Sequence, residues 1–156
     1  MRKTKAMPPD LEALPGHYIR RLQQIAVAVF LSATEAHGVT PVQYAALNKV
    51  ARSPGVDQRT LARSIGLDTS TIASVIDRLE ARGLMQRQAS PEDRRVRLLT
   101  LTDAGHELLA AAGPDVAAAQ ERMLDPLGKT ERAEFMRMLR TVVTANNELS
   151  RAPTDG

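Results

Sequence analysis

Two short helix signals joined by a glycine turn, followed at once by two strand-like segments around a charged loop, fill residues 57–101. Nothing else in the chain restricts its fold as much. Asp57 is placed to cap a helix over about Gln58 to Ser64, with Leu61, Ala62 and Ile65 facing inward. Gly66 makes a turn, and Asp68 can cap a second helix to about Arg82, built on Ile72, Val75, Ile76 and Leu79. Gly83 ends it as a left-handed C-terminal cap. Leu84–Gln88 and Val96–Leu101 have strand character, and the polar loop Ala89–Arg95 between them makes a β-hairpin with a long tip, which is a wing.

The flanks read as helices. Tyr18, Leu22, Ile25, Ala26, Val29 and Phe30 mark one from about His17 to His37, stopped by Gly38. Thr40, Pro41 and Gln43 form a strong helix start, because Gln43 can reach back to the cap amide. Tyr44, Leu47, Val50 and Ala51 give that helix its buried face before Ser53-Pro54-Gly55 breaks it. After the wing, Thr102 caps a helix from about Asp103 to Leu124, which Gly113-Pro114 should kink or split. A last helix is expected over about Thr130 to Ser150, with Phe135, Met138, Leu139, Val142, Val143 and Leu149.

The expected fold is mainly α with a small β-hairpin wing: a winged helix-turn-helix plus a helical dimerisation domain. Its boundaries are a flexible N-terminal tail over 1–14, a helical dimerisation region over 15–39 and 103–150, a winged DNA-binding domain over 40–102, and a flexible tail over 151–156. The outer helices carry wide apolar stripes that a winged domain of ~75 residues cannot cover, so a second copy of the chain is the expected partner.

Composition removes several classes of function. At 156 residues, 43% apolar and 25% charged, the chain is an ordinary globular domain. It has no cysteine, which excludes disulfides, thiolate metal sites, cysteine nucleophiles and cysteine redox sensing. No apolar run approaches the ~20 residues of a membrane span. The N-terminus has no hydrophobic signal region, so a cytoplasmic location is expected. His17, His37 and His106 are scattered without metal-ligand spacing, and neither a phosphate-binding glycine loop nor a nucleophile elbow is present. No enzyme, resident cofactor or metal is expected.

Charge is unevenly distributed. Residues 1–48 sum to +2, residues 49–97 to +4 and residues 98–156 to −3, giving the net +3. A basic middle third suits a nucleic-acid-facing module. On the second helix of the helix-turn-helix, Thr69, Ser70 and Ser74 are short enough for close approach to DNA, Thr71 lies off the buried face with them as a further DNA-binding residue, and Arg78 can reach from the next turn. At the wing tip, Arg94 or Arg95 can enter a minor groove while Asp93 holds a neighbouring arginine extended. Arg59 and Arg63, with Arg52 and Arg87, are placed for phosphate contacts.

The block Asp57–Leu109 resembles the multiple-antibiotic-resistance regulator (MarR) family. The matching features are the Leu61-Ala62 helix, Ser/Thr before Val75, Asp77-Arg78-Leu79-Glu80, Gly83-Leu84, the Asp93-Arg94-Arg95 wing and Leu101-Thr102-x-x-Gly105. The helical order extends the match to about residues 14–150. The resemblance implies a homodimeric winged-helix repressor of pseudo-palindromic operators, released by a small phenolic or aromatic carboxylate. It also implies that Arg95 is the wing arginine of the minor groove and Asp93 its support.

In this family the ligand pocket lies between the helical and winged regions. His17, Arg20, Arg21 and Gln24 form a polar stripe on the first helix, and the second helix offers Gln43 and Tyr44. Arginine, imidazole and tyrosine around a semi-apolar cleft suit an aromatic acid, by charge pairing for the carboxylate and stacking for the ring. The oxidant-sensing branch needs a cysteine that this chain lacks. The urate-sensing branch has Trp and Asp where Tyr44 and Ala45 stand. The winged block is also similar to nicotinate-catabolism repressors that answer to 6-hydroxynicotinate. The competing reading is a winged-helix module that binds another protein, without DNA or ligand response. The wing arginines and the basic middle third argue against it.

Overall fold

The computed structural model describes residues 6–154. The outermost parts of both expected tails, residues 1–5 and 155–156, lie outside the described residues. Six helices run in chain order: α1 (Pro15–Ala33), α2 (Pro41–Arg52), α3 (Gln58–Ser64), α4 (Thr69–Ala81), α5 (Asp103–Met123) and α6 (Lys129–Ala145). Three short strands, β1 (Val56–Asp57), β2 (Met85–Ala89) and β3 (Arg97–Leu101), make an antiparallel sheet in the order β1-β3-β2.

Helix starts follow local hydrogen-bond chemistry. Each first turn has orphan amides, and a short oxygen-bearing side chain satisfies one of them. The Thr40 hydroxyl accepts from the Gln43 amide at 3.2 Å, and the Gln43 side-chain oxygen accepts from the Thr40 amide at 3.2 Å. Asp57 accepts from the Thr60 amide at 2.8 Å, Asp68 from the Thr71 amide at 2.7 Å, and Thr102 from the Gly105 amide at 3.1 Å. Gly38, Gly66 and Gly83 sit at positive φ, where the chain reverses and a side chain is strained.

The core lies inside the winged unit. Leu47, Leu61, Ile72, Ile76, Leu79, Met85 and Leu99 are fully buried, contributed by α2, α3, α4 and the hairpin. Each such side chain stabilises the fold by about 1.5–3 kcal/mol relative to exposure. α5 enters this unit at its N-terminus and then runs along α1. α6 buries none of its residues within the protomer.

The structure changes several expected boundaries. α1 ends at Ala33, and Glu35–His37 is a separate 3-10 turn before Gly38. The buried Thr34 sits at the break: its single hydroxyl proton is shared between the Phe30 carbonyl at 2.9 Å and the Val39 carbonyl at 3.1 Å, which joins the end of α1 to the segment beyond the turn. α5 is continuous through Pro114, so the chain is not split there. α6 ends at Ala145, and Asn147–Leu149 forms a 3-10 turn in place of a last helical turn. Leu11–Ala13 within the expected N-terminal tail is a 3-10 turn capped by Asp10. Beyond α6, the Asn147 side chain bonds Thr154 through both the carbonyl and the amide, so this segment is folded back on itself. The strand β1 was not expected. It is two residues long and exists only by pairing Val56 with Leu99 and Asp57 with Leu98.

Candidate nucleic-acid interface

α4 buries Ile72, Ile76 and Leu79 and leaves the opposite face to solvent. Thr69, Ser70, Thr71, Ser74 and Arg78 all lie on that open face. The short side chains sit in the first two turns, where free amide dipoles favour phosphate. Ser70 donates its hydroxyl to Asp68 at 2.9 Å, which ties it to the cap. These bonds hold the Asp68 carboxyl at about 2, first through the Thr71 amide, then through the Thr71 and Ser70 hydroxyls.

A cleft of about 640 Å³ opens between α3, the start of α4 and the wing. Arg59 and Arg63 reach it from α3, Thr69 from α4, and Arg95 and Arg97 from the wing. Four arginines, two from α3 and two from the wing, therefore meet beside the start of α4. Asp57 is the carboxylate among the cleft residues, and it is engaged in capping α3. Burial raises the Asp57 carboxyl, but bonds from the Thr60 hydroxyl and amide outweigh it and hold the group below its ordinary range. The cleft thus carries an excess of positive charge beside a helix N-terminus, the electrostatic footprint expected for a phosphate backbone.

At the wing tip, Arg95 donates from Nε to Asp93 at 3.2 Å and from Nη2 to the second carboxylate oxygen at 3.2 Å. Its backbone amide also donates to Asp93, at 3.0 Å. The Arg95 side chain nevertheless remains 91% exposed. Asp93 therefore aims the guanidinium without withdrawing it from solvent. Hydrogen bonds from the Arg95 side chain, then its amide, lower the Asp93 carboxyl. Arg94 is exposed beside them and does not line the cleft.

Two expected phosphate contacts are placed elsewhere. The Arg87 guanidinium pairs with Asp77 and with Glu80 at 3.2 Å, and its amide donates to Glu80 at 3.1 Å. That arginine joins β2 to Asp77 and Glu80 of α4, and its charge is spent on two carboxylates. Arg52 donates to Asn48 on its own helix at 3.1 Å and is outside the cleft. Arg97 was not anticipated. It opens β3, two residues after the wing-tip turn that holds Arg95.

The expected ligand residues do not converge within one protomer. Tyr44 packs edge-on against Phe30, with ring centroids 5.8 Å apart. His17 packs edge-on against Tyr18 at the other end of α1. Thirteen residues separate His17 from Phe30, roughly 20 Å along a helix. Arg20 and Arg21 are exposed near His17, and Gln43 is occupied in capping α2. None of the five lines the arginine cleft or a smaller cleft of about 190 Å³ between α1 and α5. Among the described residues, no group of three or more His, Cys, Asp or Glu is arranged to hold a metal ion. No described helix is long and apolar enough to cross a membrane.

Fold and surface together define a winged helix-turn-helix protein of the transcription-regulator class. The MarR family model matches residues 39–96. The transcriptional regulator HosA of Escherichia coli O111:H- is 33% identical over 129 residues, 83% of this chain and 94% of that protein. The crystal structure of the PcaV regulator from Streptomyces coelicolor with its natural ligand is 38% identical, with a TM-score of 0.81 over 90% of this chain and 99% of that one. A structure of Bordetella bronchiseptica BpsR, whose DNA binding is regulated by 6-hydroxynicotinic acid, is 27% identical, with a TM-score of 0.83 over 87% and 97%. This chain belongs to the MarR family and is a transcriptional regulator, not an enzyme.

Proposed function

We propose that the protein is a ligand-responsive repressor that binds pseudo-palindromic operator DNA as a homodimer. A small aromatic compound bearing a carboxylate releases it. The observation that carries this reading is the arginine cleft joining the start of α4 to the wing. In the proposed complex, Thr69, Ser70, Thr71, Ser74 and Arg78 face a major groove. Arg59 takes phosphate, and Arg94 and Arg95, with Asp93 as support, follow the adjacent minor groove.

Two copies place two α4 helices on half-sites about one helical turn apart, ~34 Å. The dimer is supported by the apolar surface left open on the outer helices. Val143 is 65% exposed, Val142 55% and Ile19 60%, and α6 has no buried residue to offset them. Such surface is covered in a stable protein.

An aromatic acid as effector is supported by BpsR, which answers to 6-hydroxynicotinic acid. His17, Arg20 and Arg21 supply cationic or donor groups, and Tyr44 supplies an aromatic wall. Because Tyr44 packs against Phe30 near the end of α1 opposite His17, this reading places the pocket across the dimer, with Gln43 at its edge. The effector must then favour a dimer whose α4 helices no longer match the half-site separation.

Gel-shift assays on the protein's own promoter test this, with and without 6-hydroxynicotinate and related aromatic acids. Operator binding is expected to weaken by about 0.9 log unit per log salt for each phosphate neutralised. Binding that ignores salt would favour the protein-interaction module instead. Release by none of the acids would remove the proposed effector class.

A further inference from the structure

Besides the packing of Leu108 and Leu109 on the winged core, hydrogen bonds tie the winged unit to α5 at two places. The first lies at the start of α5, where the Thr102 hydroxyl donates to the Gly83 carbonyl at 2.5 Å and the Thr102 amide to the Leu84 carbonyl at 3.2 Å. The second lies at mid-helix and runs through a three-residue turn. The His37 ring Nε2 is 2.7 Å from the Asp115 carboxylate on α5. The backbone of the same turn receives Arg82, the residue that caps the C-terminus of α4. Arg82 donates from Nη1 to the Gly38 carbonyl at 2.7 Å and from Nη2 to the His37 carbonyl at 3.2 Å.

A single attachment is a pivot, whereas two fix an angle. Asp103, where α5 starts beside Thr102, and Asp115 are twelve residues apart, about 18 Å at the helical rise. The second attachment therefore has leverage over the tilt of α4 against α5. Its parts suit the task. The guanidinium fork spans two successive carbonyls, which a lysine ammonium cannot reproduce. Gly38 at φ +64° turns the chain at that point, and a Cβ there would come within 3.6 Å of the Arg82 Nη2. The His37 side chain is only 17% exposed, while its partner Asp115 is 52% exposed.

We propose that Asp115, His37 and Arg82 form a relay that sets the pose of α4 from the position of α5, with Arg82 a positioning residue for duplex reading. The relay rests on the reading of the chain as a DNA-binding regulator. It supplies the route by which a shift of the outer helices reaches the groove-reading face. An effector that tilts α5 must carry α4 with it or break these bonds.

The test is a double-mutant cycle in the full chain, read by anisotropy on a fluorescent fragment of the protein's own promoter. Asp115→Ala and Arg82→Ala are each expected to weaken binding about tenfold, and the double variant no more than either alone. Effects that multiply overturn the relay. Arg82→Lys keeps the charge without the fork and is expected to bind like Arg82→Ala; wild-type affinity in that variant overturns the role of the fork. Amide hydrogen exchange gives a readout that needs no DNA. Asp115→Ala is expected to speed exchange at Leu79–Gly83, the end of α4, about tenfold. Unchanged exchange overturns the relay. If the wild-type protein binds no duplex, the function reading fails, and the exchange measurement still decides the relay.

Discussion

A Cβ on Gly105 would overlap the carbonyl oxygen of Leu84 and lie 3.1 Å from its carbon. The first turn of α5 thus lies directly on the backbone that links α4 to the wing. Only a residue without a side chain permits that approach. The Gly105 of the Leu101-Thr102-x-x-Gly105 pattern is a packing requirement, and it seats the long helix at the base of the reading head.

Gly105→Ala should therefore destabilise the whole domain. The obstacle is backbone, which cannot rotate away, so the cost is at least the about 1–3 kcal/mol typical of overpacking. Thermal unfolding by circular dichroism should show a clear fall in Tm. An unchanged Tm would mean that α5 can lift from Leu84 freely.

Arg95→Ala should weaken operator binding by about 1–3 kcal/mol while leaving the oligomer intact. Asp93→Ala should produce a smaller loss, because it frees the guanidinium without deleting it. Anisotropy titrations, paired with sedimentation to confirm assembly, give both numbers. Equal affinity for wild type and Arg95→Ala would remove the wing tip from recognition.

Asp68 makes the start of α4 acid-sensitive. Its folded carboxyl sits at about 2, below the ordinary value of 3.8. A lowered folded value contributes stability that is complete above the unfolded value and disappears as pH falls through the folded one. That contribution should be constant above about pH 5 and vanish between roughly pH 4 and pH 2. Asp68→Asn keeps a capping oxygen that does not titrate. Melting curves across this range should show a shallower acid-side decline for Asp68→Asn than for wild type. Parallel declines would assign the acid sensitivity to other carboxylates.

Val143→Asp should convert the assembly to single subunits and lower operator affinity in step. Val143 is exposed on α6 within the protomer, so a charge there costs a lone chain at most the few tenths of a kcal/mol of a poor helix residue near a helix C-terminus, and is buried unpaired in the proposed dimer. Sedimentation equilibrium gives the mass. A variant that remains dimeric would place the interface on another face.

Much of this molecule was readable along the chain. Thr40, Asp57, Asp68 and Thr102 were each identified as helix starts, and each bonds an amide three residues on. The wing, and an Asp93 that holds a neighbouring arginine, were readable too, and the family resemblance pointed to Arg95 as that arginine. Such contacts close within a few residues, so the local sequence determines them almost unaided. Partnerships between distant segments were not readable. Strand β1 depends on Leu98 and Leu99, more than forty residues further on. Arg87 looked free for phosphate until β2 folded against Asp77 and Glu80. The fork of Arg82 on the turn after α1 has no sequence signature at all. That His17 and Tyr44 stand at opposite ends of α1 within one protomer was not readable either, because residue types carry chemistry but not distance. Local hydrogen bonding wrote the elements into the sequence; only the packing of the apolar faces decided which charges met, which were spent, and which were left facing out.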